Sequence, residues 1–397
     1  MRATLILLAL VATSTAAEEL PTFSPAHWVE GDDLEPAYHS HSFRALSFPT
    51  PDEGWIVGDQ YILHIRGEQL EVAFLELHDA LDSVSFVDSS LGWLGGNGPD
   101  RGRFPLLRYR AGVWNQEHFE GMRWPYWRIR LVTAGSETDA WAVASVSDIP
   151  FQYLGPNRPG SVMLRYEGAD WAADSAVLTP HPDVRINDAC RTPDKTWWFI
   201  GHQATSPSGL HAWMAYWDGS ALQRVSVPEG DAKRSALSSI RCASDGTVWA
   251  LGDRRQSAEQ SNEILLIRRV TTWERLVVPA DLSGDVVPTS LAAIGANEVW
   301  VSAHSDVFQA DGRERYLHLR DGVWETVELP VLPGGRSKNV RIVDTQFVSP
   351  TVGWAIAQDL EHRSGGARIY HYRDGVWRNR NWNWHFWDAP GFGLFGY

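Results

Sequence analysis

A tryptophan recurs along this sequence at intervals that chance would not produce. Each copy follows an apolar strand and a polar turn, and small or apolar residues come after it. The seven copies are Trp55, Trp93, Trp141, Trp198, Trp249, Trp300 and Trp354. They define units of roughly 50 residues, a period typical of solenoids and propellers. The repeat also accounts for the excess of tryptophan, which contributes 21 of the 397 residues.

A second sequence motif lies between copies of the tryptophan repeat and indicates a β-hairpin. Alternating strands flank a two-residue turn in LLRYRAGVW, VMLRYEGADW, YLHLRDGVW and RIYHYRDGVW. Asp-Gly, Ala-Gly and Glu-Gly turns between alternating strands are hairpin signals. Each unit therefore contains two hairpins, or four antiparallel strands. Beyond the amino terminus no stretch has a convincing helical period.

Seven units of four strands predict an all-β fold, a seven-bladed β-propeller of four-stranded antiparallel blades. One blade cannot bury both faces, whereas blades stacked around an axis bury each face against a neighbour. Large Trp and Phe side chains would fill the wedges between blades. Six or eight blades are the alternative, because the count depends on every unit being real. The predicted propeller covers residues 44–382, and whole-blade packing should close the ring, with residues 23–43 or the tail as further candidates.

Two kinds of short motif accompany the repeat. They are Gly-Trp-Ile-Val-Gly at 54–58, Gly-Trp-Leu-Gly-Gly at 92–96, and Asp-Gly-Val-Trp at 321–324 and 374–377. These motifs resemble those of secreted bacterial β-propellers with Trp-Ala-Val-Gly and Asp-Gly-x-Trp repeats, which are distantly similar to photosystem II assembly-factor and sialidase-like propellers. The resemblance implies the fold only, since such propellers include binding proteins, assembly factors and enzymes. The sialidase-type Asp box is absent, because Ser244-Asp245-Gly246 has the wrong spacing to Trp249.

The two ends of the chain differ in character from the repeats. Residues 1–17 have a positive start, an apolar run and a small-residue cleavage site, the pattern of a secretory signal peptide that is too short to span a membrane. An unprocessed apolar terminus is the alternative. We expect an exported monomer, periplasmic or extracellular, with an extension at 18–43 before the propeller. An aromatic tail at 383–397 should pack over the propeller, dock into a partner or plug the channel.

Charge and cysteine content exclude several classes of function. The formal net charge of −14 argues against a nucleic-acid partner, and no later apolar run is long enough for a membrane span. The two cysteines rule out a disulfide scaffold and a cysteine-rich zinc module. Cys190 and Cys242 should occupy equivalent places, allowing for one insertion, on the innermost strands of neighbouring blades. In an exported protein we expect them to form a disulfide, with two buried thiols as the alternative.

The position four residues after each repeat tryptophan is polar in every unit. The seven residues are Asp59, Asn97, Ser145, His202, Asp253, His304 and Gln358. If the register holds, they form a ring at one mouth of the channel, where His202, Asp253 and His304 are candidates for acid–base catalysis. The alternative is that strands simply end in polar turn residues. Blade separation makes a shared metal site improbable, so we expect no metal and no cofactor.

Arginine recurs just before or within the predicted innermost strands. The residues are Arg44, Arg128, Arg130, Arg185 and Arg341, with Arg241 inside a strand. Arginines at one mouth would attract a carboxylate or another anion, so the predicted ligand-binding set combines four of them with two ring residues. That set is Arg44, Arg130, Arg185, Arg341, Asp59 and Asn97. The alternative is an Arg–Asp network between blades that uses the nearby Asp82, Asp188 and Asp344.

The activity is less constrained than the fold. No phosphate loop, nucleophile elbow or zinc-protease helix is present. Long polar loops on one face of a rigid scaffold favour a non-enzymatic protein that binds a protein, peptide or glycan at the channel mouth. One alternative is a hydrolase or lyase with a His/Asp/Arg site at that mouth. Another is a tryptophan-rich lectin, in which exposed indoles would stack on sugars.

Overall fold

The computed structural model describes sixteen stretches of the chain. They are residues 42–58, 61–74, 80–97, 106–117, 127–146, 161–168, 170–172, 183–204, 209–228, 234–257, 260–269, 272–278, 286–305, 315–330, 340–359 and 367–380. The predicted signal peptide at 1–17, nearly all of the extension at 18–43 and the tail at 383–397 lie outside these residues. Every regular element in the described part is a β-strand, and it contains no helix that could span a membrane.

Seven sheets of four antiparallel strands confirm the predicted seven-bladed propeller. Blades 1 and 2 contain β1 (Phe43–Ser47), β2 (Glu53–Gly58), β3 (Tyr61–Arg66), β4 (Gln69–Phe74), β5 (Leu81–Asp88), β6 (Leu91–Gly96), β7 (Leu106–Arg110) and β8 (Val113–Gln116). Blades 3 and 4 contain β9 (Trp127–Ser136), β10 (Asp139–Val146), β11 (Val162–Tyr166), β12 (Trp171–Ala172), β13 (Val184–Arg191), β14 (Trp197–Ala204), β15 (Leu210–Trp217) and β16 (Leu222–Val225).

The remaining three blades repeat the same order. Blade 5 contains β17 (Arg234–Cys242), β18 (Val248–Ser257), β19 (Gln260–Arg269) and β20 (Thr272–Leu276). Blade 6 contains β21 (Val286–Gly295), β22 (Glu298–Ser305), β23 (Arg315–Arg320) and β24 (Val323–Glu328). Blade 7 contains β25 (Val340–Ser349), β26 (Val352–Asp359), β27 (Ala367–Arg373) and β28 (Val376–Asn379).

The predicted tryptophan wedges are present between blades. Every repeat tryptophan lies on the second strand of its blade and is at most 3% exposed. Trp141 of blade 3 packs against Phe199 and Trp217 of blade 4, with ring centroids 5.2 and 5.5 Å apart. Burial of such large aromatic surfaces is the main term that favours stacked blades over separate ones.

The first strand of each blade is the innermost one and lines the channel. Neighbouring first strands contact one another around the ring, and β25 contacts β1. Because each sheet consists of four consecutive strands, the described part of the chain closes the ring without exchange of a strand. Phe48 of blade 1 stacks on Trp354 of blade 7 at 4.5 Å, and the indole of Trp354 donates to the Pro51 carbonyl. The closure is therefore the whole-blade packing that the sequence predicts.

Short turns occupy one end of the propeller. Ala111-Gly112, Asp321-Gly322 and Asp374-Gly375 join third and fourth strands, and both residues of each turn have positive φ. This conformation is the hairpin turn that matches the twist of the flanking strands, and glycine adopts it without strain. The second and third strands are joined at the opposite end, where the sequence has its long connections.

Candidate functional site

A β-bulge is present at the same place in all seven innermost strands. One extra residue stands opposite the second strand in each blade, at Arg44, Asp82, Arg130, Asn187, Ser238, Thr289 and Val343. Each of these residues precedes its repeat tryptophan by eleven positions. A bulge bends the strand and turns its extra side chain away from the regular alternation. We call these seven residues the bulge ring.

Small residues on the second strand make room for the bulges. The third residue after each repeat tryptophan is glycine or alanine in every blade. A Cβ at Gly201 would overlap the carbonyl oxygen of Arg185, and one at Gly252 would overlap that of Ala236. The bulge and the small residue are therefore one feature, and they bring the two strands together at the loop end of the channel.

The two residue sets predicted from the sequence meet at that end. Ser145 pairs with Arg128, His202 with Arg185, and Gln358 with Arg341, each across the first and second strands of one blade. We call these pairs, together with Asn97, Arg130 and Asp253, the rim. The backbone of Asn97 donates to the Ala80 carbonyl at 3.0 Å. Asp59 lies outside the described residues.

One ion-pair cluster ties blades 1, 2 and 3 together at the rim. Arg44 Nη1 lies 3.2 Å from Asp82 Oδ1, and Arg128 donates to both oxygens of the same carboxylate. Asp82 is 10% exposed and Arg128 is 13% exposed, whereas Arg44 is 36% exposed. For Arg44 and Arg128 the structure thus has the inter-blade network that the sequence left as the alternative.

A second cluster crosses the channel deeper inside. Arg241 Nη1 donates to Asp188 Oδ2 at 2.6 Å, and Nη2 donates to Asp344 Oδ1 at 2.8 Å. These groups belong to blades 4, 5 and 7, so the guanidinium reaches past the blade beside it. Burial raises the pKa of Asp344, although Arg241 acts in the opposite direction. Burial opposes ionisation of Arg241 as well, but the attraction of the two carboxylates raises its pKa and keeps it charged.

The other three predicted arginines lie at the surface. Arg130, Arg185 and Arg341 are exposed, and they belong to blades 3, 4 and 7. Exposure therefore divides the arginines into two groups, although Arg128 shares its register position with Arg185 and Arg341. Arg44, Arg128 and Arg241 hold blades together, whereas the exposed three add positive charge to the rim of an acidic protein.

His202 is the predicted catalytic residue whose surroundings are best described. It is half-buried, and its Nδ1 lies 3.4 Å from Nδ2 of Asn187. Burial lowers the pKa of His202, Arg185 lowers it further, and Asp253 acts in the opposite direction. The imidazole is therefore neutral at pH 7. The backbone of His304 pairs with Val287 in blade 6, but its side chain lies outside the described part of the structure.

Inter-blade bridges were the feature that the sequence analysis missed. In blades 2 and 4, the side chain one residue beyond the bulge accepts an amide hydrogen bond from the next blade: Ser83 from Val132 and Asp188 from Ile240, both at 2.9 Å. These bridges satisfy amide groups on the free edge of an innermost strand. The constant eleven-residue spacing to the tryptophan is the signal that would have identified these positions.

Residues three beyond the bulge form a further set of bridges. Ser47, Ser85 and Gln346 accept hydrogen bonds from the amides of Phe86, Ala134 and Phe48, respectively. Between blades 4 and 5 the same place holds the Cys190–Cys242 disulfide, with Cα atoms 5.6 Å apart. The predicted disulfide is confirmed. The expected equivalence of the two cysteines is wrong, because Arg241 occupies the position equivalent to Cys190 and Cys242 lies one residue further on.

Comparison with known proteins places this arrangement among β-propellers. No protein-family model and no curated protein matches the chain. The similarity to solved structures is one of fold alone. YCF48 bound to D1 peptide has a TM-score of 0.53 and 17% identity, over 88% of this chain and 97% of that one. The β-propeller domain of the Trilobed protease from Pyrococcus furiosus has a TM-score of 0.57 and 8% identity, over 86% and 98%.

A third similar structure belongs to a larger enzyme. Puromycin hydrolase has a TM-score of 0.54 and 12% identity, over 88% of this chain and 56% of that one. Solved structures of this fold thus include a protein bound to a peptide and a hydrolase. The repeat tryptophans are buried, so their indoles present no face to a sugar as the lectin alternative requires.

Proposed function

We propose that this protein is an exported, non-enzymatic β-propeller that binds an anionic group of a protein, peptide or glycan at its rim. The observation that carries the proposal is the exposure of Arg130, Arg185 and Arg341 at the loop end of the channel. A guanidinium presents paired N–H donors that match a carboxylate. In a chain with a net charge of −14, arginines at one mouth would steer an acidic ligand to that place.

A protein or peptide is the ligand class that we favour. YCF48, whose fold is similar, has been solved with a D1 peptide, and this likeness supports the choice. Asn97 and Gln358 supply neutral hydrogen-bonding groups near the arginines, so a backbone beside an acidic side chain would find partners for both. The buried repeat tryptophans make a sugar-stacking site between blades the weaker choice.

The binding test compares two triple variants with the same change in charge. Arg130→Gln, Arg185→Gln and Arg341→Gln together remove the exposed charges of the rim. Arg110→Gln, Arg320→Gln and Arg373→Gln together remove three exposed charges at the opposite, short-turn end. Calorimetric titration with a short oligoglutamate peptide and with an oligogalacturonate should show affinity reduced at least about tenfold in the first variant only. Equal affinities in the two variants would contradict the proposal.

Export has a test of its own. The signal-peptide pattern motivates it, and the disulfide is compatible with an oxidising compartment. Amino-terminal sequencing of the protein secreted from a bacterial host should begin at Glu18. A protein that keeps residues 1–17 and stays inside the cell would contradict this part of the proposal.

A hydrolase or lyase is the second candidate. The neutral state of His202 at pH 7 favours it, because a neutral imidazole can accept a proton from a substrate. Any turnover of a peptide or acidic polysaccharide should fall at least about 100-fold in His202→Ala and survive in His211→Ala, a histidine on the neighbouring strand. Turnover that is unchanged in His202→Ala would exclude this assignment.

A further inference from the structure

The junction between blades 4 and 5 is the only covalent one in the ring. Several contacts join β13 to β17 within a few residues, and three of them matter here. They are the Cys190–Cys242 disulfide, the hydrogen bond from the Ile240 amide to Asp188, and the ion pair of Arg241 with Asp188. At three other junctions, the place of the disulfide is held by a single side chain that accepts an amide hydrogen bond. Blades 4 and 5 are thus fastened more tightly than these neighbours.

A chain of contacts runs from this disulfide to the closure of the ring. Cys242 follows Arg241 directly in β17, and Arg241 reaches across the channel to Asp344 of blade 7. The other oxygen of Asp344 accepts the amide hydrogen of Leu46 in blade 1, at 3.3 Å. Beside the Phe48–Trp354 stack, the closing junction between blades 7 and 1 therefore includes a hydrogen bond to a carboxylate whose countercharge is anchored beside the disulfide.

Loss of the Arg241 countercharge would destabilise the carboxylate of Asp344. It is 17% exposed, and the second carboxylate at Asp188 repels it. A buried carboxylate without a paired cation is costly, so its hydrogen bonds weaken and the surrounding strands rearrange. A disulfide also holds two sulfur atoms at bonding distance, whereas two thiol sulfurs repel each other within van der Waals contact. Cleavage therefore pushes the end of β17, with Arg241, away from β13.

We propose that the disulfide and Arg241 form one redox-sensitive latch that couples the junction of blades 4 and 5 to the closure of the ring. A dithiol reductant cleaves the bond between the two sulfurs. Cys190 and Cys242 become thiols, and the reductant becomes a cyclic disulfide, so two electrons and two protons pass to the protein. Arg241 then loses its fixed position, Asp344 loses its partner, and the Leu46 amide is released. The latch operates whether or not the rim holds a ligand.

Hydrogen exchange of the folded protein, before and after reduction with dithiothreitol, tests this coupling. We expect exchange of the Leu46 amide to rise about tenfold or more, together with that of Ile240, while Val132 in blade 3 keeps its rate. Near-UV circular dichroism checks that the reduced protein stays folded. A rise confined to β13 and β17 would overturn the proposal, and so would a rise spread evenly over all blades.

Two variants separate the latch from general loosening of the ring. Asp344→Asn removes the far end of the latch with the disulfide intact, so it should raise exchange at Leu46 and make reduction add little. Ser85→Ala removes a bridge at the equivalent place between blades 2 and 3. It should leave the effect of reduction on Leu46 unchanged. If reduction raises Leu46 exchange equally in Asp344→Asn and in the unmodified chain, Arg241 does not carry the coupling.

Discussion

Blades 6 and 7 place a histidine at the same point and surround it with opposite charges. His318 and His371 stand opposite the repeat tryptophan on the third strand, and each ring stacks on that indole, at 3.8 and 4.0 Å. Both histidines are 3% exposed. Glu298 and Glu325 lie within 3.0 Å of the two ring nitrogens of His318. The register positions of these acids hold Val352 and Arg378 in blade 7.

Without the two acids, His371 differs from His318 in its hydrogen bonds and in its pKa. Its Nε2 has no hydrogen-bond partner, and the pKa of His371 is lowered to about 4 by burial and by Arg380 and Arg373. Blade 1 resembles blade 6, since Glu53 and Glu71 flank His64 on Trp55. The tryptophan thus fixes where the ring lies, and the two flanking residues decide what charges it meets. Blade 7 adjoins blade 1 at the closure, so its histidine is a weak point there.

The largest expected effect comes from removing the element that both blades share. Trp300→Ala and Trp354→Ala should each lower the free energy of unfolding by about 3–5 kcal/mol, because a buried indole is lost and a cavity remains. Urea unfolding followed by far-UV circular dichroism measures both. If one variant lost less than about 1 kcal/mol of unfolding free energy while the other lost about 3–5 kcal/mol, the two tryptophans would not be equivalent.

The second largest effect is the loss of stability at acid pH, which we expect from His371 of blade 7. The unfolded pKa of histidine is about 6.5 and the folded pKa of His371 is about 4, so the unfolded chain binds the extra proton first. The contribution of neutral His371 is complete above pH 6.5 and is lost as the pH falls toward 4. His371→Phe keeps a stacked ring that cannot titrate. Between pH 7 and 4.5 it should lose about 2–3 kcal/mol less stability than the unmodified chain.

Phe at position 318 is the matched control for that measurement. His318→Phe removes a histidine from the same stacked place but leaves His371 untouched, so it should keep the acid-induced loss that His371 causes. Should His371→Phe lose as much stability on acidification as the unmodified chain, the neutral state of His371 would be wrong.

A smaller effect follows from giving blade 7 the acid that blades 1 and 6 possess. Val352→Glu places a carboxylate at the register position of Glu298, opposite the orphaned Nε2 of His371. The new hydrogen bond should raise the pKa of His371 and reduce the acid-induced loss by about 1 kcal/mol. Nuclear magnetic resonance titration of the His371 ring reads the pKa directly. A pKa that stays near its present value would show that the register equivalence does not extend to the side chains.

The fold could be predicted from the sequence because the tryptophans that stabilise it recur at a regular period. Trp55 and its six counterparts recur with turn residues at fixed offsets, and a period of that length with four strands leaves few architectures. The Cys190–Cys242 pair was readable for the same reason. Its stagger was not, because an insertion and a one-residue stagger give the same sequence spacing, and only the strand register distinguishes them.

The site was only partly readable. Arg44 and Arg130 hold the same bulge position, yet Asp82 pairs with Arg44 and with Arg128, two residues before the bulge. The sequence pattern alone therefore does not tell which guanidinium reaches that carboxylate. The contact of Arg241 with Asp344 joins residues 103 positions apart across the channel, and no local pattern encodes it. The buried histidines were missed because their importance depends on cross-strand register.

The division of the arginines by exposure is tested most directly by the free energy of unfolding of two variants. Arg241→Gln should cost about 3 kcal/mol, since it leaves two inward carboxylates without their cation. The combined Arg130→Gln, Arg185→Gln and Arg341→Gln variant should stay within about 1 kcal/mol of the unmodified chain, because exposed charges contribute little to stability. A rim variant as unstable as Arg241→Gln would contradict the account, for its arginines would then be part of the scaffold.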